Sequence, residues 1–133
     1  MFKHILFPTD GSASSDIAAQ SAMRFAKSIG AKITALHVIP AISPDCPAPG
    51  SQESAAKCLL AVQHAAAEQG VPCDTLVARA DEVYLAIVQA AFDKQCDLVV
   101  MSSRGLSDAP QSPPGSQTLR VLTHTQVPVL VFR

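Results

Sequence analysis

The sequence lacks the features that mark several large classes of protein. Its 10 Lys and Arg nearly balance 11 Asp and Glu, for a net charge of −1, so it has no excess of positive charge for binding nucleic acid. No apolar run approaches the roughly 20 residues that cross a membrane, and the first apolar run is too short for a signal peptide. We therefore expect a cytoplasmic protein without nucleic-acid or membrane partners.

Closely spaced metal ligands are missing as well. The 4 cysteines lie far apart in the chain, without the close pairs that zinc sites use, and the 4 histidines occur singly. We expect reduced thiols and no metal site. The residues concerned are Cys46, Cys58, Cys73 and Cys96, with His4, His37, His64 and His124.

The chain also lacks the short motifs of common catalytic classes. It contains no Gly-Lys-Ser or Gly-Lys-Thr, which excludes a conventional P-loop, and no Gly-x-Ser-x-Gly, which excludes a nucleophile elbow. Asp10 is placed where a phosphotransferase or phosphatase could carry its nucleophile. However, Ser12 occupies the position where such an enzyme would have a second acidic residue.

What the sequence does contain is an alternation of apolar strand patterns and amphipathic helix patterns. At 133 residues and 48% apolar content, we expect a single domain, residues 1–133, with a buried core. Strands alternating with helices predict a doubly wound α/β fold with a mostly parallel sheet covered on both faces. Strands are predicted at 3–8, 32–39, 72–79, 98–101 and 127–132, and helices at 12–28, 51–69, from Asp81 onward, and at 115–124.

Each predicted helix has an apolar stripe that should face the sheet. Gly30 and Gly70 are placed to end the first two helices, and Pro72 favours an edge position for the third strand. The predicted inward residues are Ala18, Ala22, Phe25, Ala26 and Ile29; Leu59, Val62 and Ala66; Val83, Ile87, Ala90 and Ala91; and Leu119 and Leu122.

The stretch from Ser102 to Ser116 joins the fourth predicted strand to the last helix. A buried strand that ends in a polar, glycine-bearing loop and continues as a helix is typical of a phosphate-cradling turn. Gly105 and Gly115 enclose 9 residues within it, and Ser116 follows directly. Glycines let the backbone approach phosphate oxygens closely, because no Cβ stands in the way.

This loop resembles that of the universal stress protein family, in which two residues separate a first glycine from a second, and nine separate the second from a third that precedes Ser or Thr. Ser102 takes the place of the first glycine here. The resemblance extends along the whole chain, through His4–Ser12, Leu36–Ile39, Cys96–Met101 and Val127–Val131. It implies strand order 3-2-1-4-5, an adenine nucleotide, ATP or AMP, between the first and fourth strands, and a homodimer formed through strand 127–132.

The resemblance also implies which residues contact the nucleotide. Asp10 would contact a ribose hydroxyl or the adenine side of the nucleotide, although an Asx-turn or a helix cap is an alternative role for it. The backbone of Val38 would face the adenine, and the first turn of the last helix would face the phosphates; Arg104 is either a phosphate partner or a solvated charge. The full set is Pro8, Thr9, Asp10, Val38, Met101, Ser102, Arg104, Gly105, Gly115, Ser116, Gln117 and Thr118.

The loop departs from the family pattern in its chemistry. Residues 106–114 include no Lys or Arg, but they include Asp108 and three prolines, which cannot donate backbone hydrogen bonds. A triphosphate would meet repulsion unless Mg²⁺ lay between it and Asp108. These residues favour a weakly held or AMP-like ligand over a tightly held ATP.

Two functions remain open at this point. The first is a cytoplasmic, dimeric stress-response protein that binds an adenine nucleotide and hydrolyses ATP slowly or not at all. The second is an interaction module of the same fold that binds no nucleotide and acts through dimerisation alone.

Overall fold

The computed structural model of the protein describes residues 2–10, 13–40, 51–102 and 116–132, with the backbone alone at 13–14, 40, 51–54 and 116. Strands and helices alternate along these ranges, as the sequence pattern predicts. They are β1 (His4–Pro8), α1 (Ala13–Ile29), β2 (Lys32–Pro40), α2 (Ser51–Gln69), β3 (Cys73–Ala80), α3 (Val83–Asp93), β4 (Leu98–Ser102), α4 (Ser116–His124) and β5 (Val129–Phe132).

The strands form one parallel five-stranded sheet in the order β3-β2-β1-β4-β5. The predicted fold class and strand order are therefore confirmed. β3 lies at one edge of the sheet, as Pro72 suggested, and β5 lies at the other. Because β1 is the central strand, and the chain winds outward from it first to one side and then to the other, both faces of the sheet receive helices.

Two buried clusters flank the sheet. One packs α1 and α2 against side chains such as Ile5, Phe7 and Ile33, and the other packs α3 and α4 against Leu6 and Leu36. The division follows the alternation of side chains along a strand, since neighbouring residues point to opposite faces. Most of the predicted inward residues of the first three helices are buried: Ala18, Ala22, Ala26, Leu59, Val62, Ala66, Ile87, Ala90 and Ala91.

Gly30 and Gly70 end α1 and α2, as predicted. Their φ angles are +70° and +73°, in the left-handed region that glycine adopts without strain. After each glycine the chain donates back into the last helical turn, with Ala31 N to Ala26 O and Val71 N to Ala66 O, both at 2.9 Å. Within the described ranges, no helix is both long and apolar enough to span a membrane.

The predicted inward face of α4 is wrong. Leu119 and Leu122 are 65% and 47% exposed, whereas Val121 is fully buried and Thr118 is only 6% exposed. In a helix of 9 residues both pairs have the spacing of one face, so periodicity alone could not choose between them. The rotation is set by polar contacts of Thr118 and of its neighbour Gln117, described below.

Ile29 is a second, smaller correction. It is 38% exposed at the last position of α1, whereas Met23, which lies outside the predicted stripe, is fully buried. The helix ends at Ile29, so no following turn covers its side chain. Phe25 lies between the two cases, since it is partly buried against the cluster beneath α1.

Candidate functional site

The carboxyl ends of β1, β2 and β4 meet at one edge of the sheet. The ladder joins β1 to β2 as far as Pro8 and Leu36, but it joins β1 to β4 only at Ile5 with Leu98 and Leu6 with Val99. This is also where the winding direction of the fold reverses. In open α/β sheets ligands bind outside the carboxyl ends of the strands at such a point.

The exit of β1 is fastened to β2 by two hydrogen bonds around Thr9. Its backbone N–H donates to the Leu36 carbonyl at 2.8 Å, and its own carbonyl lies 3.0 Å from Nδ1 of His37. A carbonyl only accepts, so Nδ1 of His37 carries the proton of this bond. Thr9 is 2% exposed, and its position fixes the starting point of the loop that carries Asp10.

Asp10 is held by the first turn of α1. The hydroxyl of Ser15, itself 2% exposed, donates to Oδ1 of Asp10 at 2.7 Å. Asp10 is half-buried, so its carboxylate is both oriented and accessible at the edge. The side chains of Ser12 and Ser14, the predicted caps of this helix, lie outside the described residues. The contact with Ser15 gives Asp10 a structural role that is compatible with ligand binding.

β2 extends beyond the point where its pairing with β1 ends. It continues to Pro40, and Val38 pairs with Ala78 of β3 on its outer side. The side chain of Val38 packs against the cluster beneath α3 and α4. The Val38 contribution to a ligand would therefore come from the backbone, as the family resemblance implies.

A third contact fixes the start of α4 beside the end of β4. The Thr118 hydroxyl donates to the carbonyl of Ser102 at 3.0 Å, across 16 residues of sequence. The first-turn amides of α4 thus lie next to the end of β4. Free N–H groups and the positive end of the helix dipole make such a position favourable for an anion.

Contacts with α3 orient the same helix. Oε1 of Gln117 accepts from the backbone N–H of Tyr84 at 3.2 Å and so caps the first turn of α3, where Glu82 makes no side-chain cap. Arg120 pairs with Glu82 at 3.1 Å and lies 5.6 Å from the centre of the Tyr84 ring. The side chain of Gln117 is thus used within the fold, which leaves its backbone amide for the predicted ligand contact.

The structure brings together most of the predicted site residues that it describes. Thr9, Asp10, Val38 and Ser102 stand at or near the carboxyl ends of β1, β2 and β4, and Thr118 is bonded to Ser102. Pro8 and Met101 are buried beneath the edge; the Met101 side chain is fully enclosed in the core, so only its backbone is available. Arg104, Gly105, Gly115, Asp108 and the loop prolines lie outside the described residues, as does the side chain of Ser116.

The described cysteines are poor nucleophiles. Burial, and then the nearby carboxylates of Asp10 and Asp16, raises the pKa of the Cys58 thiol. Burial also raises the pKa of Cys73 and lifts that of Cys96 to about 11, so these thiols stay protonated at neutral pH. Among the described residues, no three His, Cys, Asp or Glu side chains cluster in a way that could hold a metal ion.

The fold is that of a doubly wound α/β protein whose winding reverses at this edge. A profile of the universal stress protein family matches residues 1–133. A universal stress protein of Thermus aquaticus is 31% identical over 137 residues, with all of both chains covered. One of Methanocaldococcus jannaschii is 34% identical over 146 residues, covering 100% of this chain and 83% of that protein. The chain belongs to the universal stress protein family.

Solved structures share the fold. A family member from Burkholderia pseudomallei superimposes with a TM-score of 0.81 at 23% identity, covering 98% of this chain and 96% of that one. A universal stress protein in complex with cAMP gives 0.80 at 22% identity, with 99% and 97% covered. One from Archaeoglobus fulgidus in complex with dAMP gives 0.71 at 15% identity, with 99% and 98% covered.

Sequence reasoning missed two residues that shape the edge, Ser15 and His37. Ser15 follows Asp10 by five positions and is one of several serines near the start of α1, so nothing in the pattern singled it out. In the sequence, His37 is one residue of a strand pattern. Its contact with Thr9 depends on the β1–β2 register, which sequence periodicity does not determine.

Proposed function

We propose that this universal stress protein binds an adenine nucleotide, ATP or AMP, at the carboxyl edge between β1 and β4. The observation that carries the proposal is the bond from Thr118 to Ser102, which sets the N-terminus of α4 beside the end of β4. The complexes of two structural relatives with cAMP and dAMP support an adenine nucleotide as the class of ligand.

Asp10 is assigned to the ribose in this proposal. A carboxylate accepts hydrogen bonds from the two hydroxyls of a sugar, and the contact with Ser15 presets its orientation. The backbone of Val38 is assigned to the adenine, and the amides of Ser116, Gln117 and Thr118 to the phosphates. Gly105, Gly115 and Arg104 complete the proposed phosphate site from the loop.

Charge favours a ligand with few phosphates. At the ends of β1, β2 and β4 the described residues include the carboxylate of Asp10 and no lysine or arginine; Arg79 lies farther out, near the end of β3. The amides of α4 and Arg104 would neutralise a monophosphate more fully than a triphosphate. ATP would require Mg²⁺ held mainly by its own phosphates, since Asp10 is the one carboxylate among the described residues at the ends of β1, β2 and β4, and it is bonded to Ser15.

Isothermal titration with AMP, and with ATP in the presence and absence of Mg²⁺, tests the proposal. Asp10→Asn should weaken AMP binding about tenfold, because the remaining oxygen stays bonded to Ser15 and the charged acceptor is lost. Ser15→Ala separates orientation from charge, since it removes the internal bond and keeps the carboxylate, and it should weaken AMP binding less than Asp10→Asn does. If the wild-type protein releases no heat with millimolar nucleotide, the proposal fails and the interaction module becomes the better description.

We further propose that the protein forms a homodimer through β5. Val129–Phe132 is an edge strand of four half-buried apolar residues, and an exposed apolar edge favours pairing with another strand. Sedimentation analysis of the wild type and of Val131→Lys tests this. A monomeric wild type at micromolar concentration would contradict the dimer without bearing on nucleotide binding.

A further inference from the structure

A polar cleft of about 540 Å³ lies at the amino ends of β1, β2 and β3, at the opposite end of the sheet from the nucleotide edge. It is separate from the proposed nucleotide site, since it shares no residue with it. Its lining includes His4, Lys32, Thr34, Asp74, Thr75 and Lys94.

The strand register places part of the lining on one face of the sheet, while Gln63, Cys73 and Thr75 line the cleft from the other side of the edge strand β3. His4 is paired with Lys32, and Thr34 is paired with Asp74. Paired residues of parallel strands point to the same face, and here it is the face covered further along by α3. Lys94 directly follows the last residue of α3, so it lies at the boundary between the helix and the uncovered part of this face.

Two positive charges converge on this cleft. Lys32 and Lys94 are both exposed, and neither takes part in the ion pairs found among the described residues. The charges of both act on the buried thiol of Cys96, where they oppose the rise in pKa caused by burial and by Asp97. Both residues line the cleft, so a ligand seated in it would have two lysines in its surroundings.

The neighbouring carboxylate of Asp97 offsets part of this charge, but both of its oxygens are already used by the backbone. Its two oxygens accept from the backbone N–H groups of Lys3 and His4, at 2.9 and 3.0 Å. Asp74, in contrast, is an exposed acceptor on the floor of the cleft beside Thr34. The cleft thus combines two cations with one acceptor for a hydroxyl group.

The floor is rigid and polar. Thr34 is 2% exposed, and its Oγ1 lies 2.6 Å from Nε2 of His4. Burial, and then the charge of Lys32, lowers the pKa of His4, so its ring is neutral at pH 7. The residues that line the cleft therefore carry one net positive charge, from Lys32 and Lys94 against Asp74.

We propose that this cleft binds the phosphate group of a small phosphorylated polyol or sugar, with Lys32 and Lys94 at the phosphate and Asp74 at a neighbouring hydroxyl. Two ammonium groups suit a doubly charged phosphate. Asp74 repels a bare anion but accepts a hydrogen bond from a hydroxyl, so it favours a ligand that carries both groups.

Chemical-shift titration of the ¹⁵N-labelled protein with glycerol 3-phosphate, in the presence of saturating AMP, tests the proposal. The expected result is saturable shifts at residues 4, 32–34, 74–75 and 94. Lys32→Gln and Lys94→Gln should each weaken binding about fivefold, the effect of one partly solvated charge pair. Lys27→Gln is the matched control, since this exposed lysine lies in the last turn of α1, on the other face of the sheet.

Inorganic phosphate is the second probe. It should bind more weakly than glycerol 3-phosphate, and Asp74→Asn should reduce that difference. Shifts confined to the carboxyl edge, no saturable shift at millimolar ligand, or equal weakening by Lys27→Gln would each overturn the proposal. A failure of AMP to bind would leave this test intact, because the reporting residues lie at the other end of the strands.

Discussion

The hydroxyl of Thr118 donates to the carbonyl of Ser102, and this bond brings together the two ends of segment 103–115. Thr118→Val keeps the volume and removes the donor, so we expect the free energy of unfolding to fall by about 1 kcal/mol. AMP affinity should fall several-fold, because α4 loses its fixed position beside β4. Urea unfolding and calorimetric titration measure the two effects.

Thr123→Val is the matched control for this variant. Thr123 also donates to a carbonyl, that of Leu119 at 2.8 Å, but it does so within α4 and on its exposed side. Its loss should leave AMP affinity unchanged. Equal affinities for Thr118→Val and Thr123→Val would show that the bond to Ser102 does not position the nucleotide site.

His37 should contribute to AMP affinity through the backbone of Thr9. His37→Leu removes the donor to the Thr9 carbonyl, so the loop that carries Asp10 is held less firmly and AMP binding should weaken about threefold to tenfold. His37→Asn places an amide nitrogen near the position of Nδ1 and should restore most of the affinity. Titration of both variants with AMP measures the effect. If the Asn variant binds AMP as weakly as the Leu variant, the bond from His37 to Thr9 does not support AMP binding.

The rotation of α4 can be tested by stability measurements. Val121→Ala removes two buried methyl groups and should lower the free energy of unfolding by about 2 kcal/mol. Leu119→Gln changes a side chain that is 65% exposed and should shift it by less than about 0.5 kcal/mol. The reverse ranking in urea unfolding would mean that the leucine face packs inward.

His4 should make stability depend on pH in the weakly acidic range. Burial, followed by the charge of Lys32, lowers the pKa of His4 below 6.5, so the unfolded chain binds more protons than the folded protein as the pH falls through 6.5. The free energy of unfolding should therefore decrease from about pH 7 to about pH 5, and His4→Gln should flatten this decrease. His64→Gln retains His4 and should keep the slope; an unchanged slope in His4→Gln would contradict the assignment.

Asp97 should act in the opposite pH range. Burial alone would raise the pKa of Asp97. The N–H groups of Lys3 and His4 outweigh this effect and hold the pKa below 3.8. The ionised carboxylate of Asp97 therefore stabilises the folded protein above pH 3.8, and this stabilisation is lost as the pH falls through the lowered pKa. Asp97→Asn should cost about 1.5 kcal/mol at neutral pH, and less as the pH falls below 3.8.

Asp93→Asn provides the comparison for Asp97. Asp93 accepts from Nε2 of Gln89 at 2.9 Å on the exposed surface of α3, where such a bond adds little to stability. Its replacement should change the free energy of unfolding by less than about 0.5 kcal/mol. If urea unfolding shows similar losses of unfolding free energy for the two variants, the backbone contacts of Asp97 do not add to stability beyond an exposed surface bond.

The fold was predictable because its signals are local and repeated. Gly30 and Gly70 end helices at the left-handed positions that glycine favours, and the alternating strand residues divide the core between the two faces. The strand order came from the resemblance of the whole chain to the family, since periodicity gives elements but not their arrangement. Leu119 and Leu122 were misplaced because the helix is short and its rotation depends on tertiary polar contacts.

The candidate site was predictable only in part, for a related reason. Asp10, Ser102 and Thr118 belong to segments recognisable in the sequence, and the structure places them at one edge. The partners that hold them, Ser15 and His37, form contacts through helix and strand register that a sequence pattern does not contain. The chemistry of the edge was thus easier to predict than the hydrogen bonds that position it.

The bond between Thr118 and Ser102 also holds α4 in place by a contact that lies outside the loop. The bond joins residues on either side of segment 103–115. The composition and length of that segment can therefore change while α4 keeps its place. Doubling the length of a flexible loop costs only about 0.6 kcal/mol in closure entropy. The segment can therefore diverge in ligand preference, through residues such as Asp108 and its prolines, on a scaffold that stays constant.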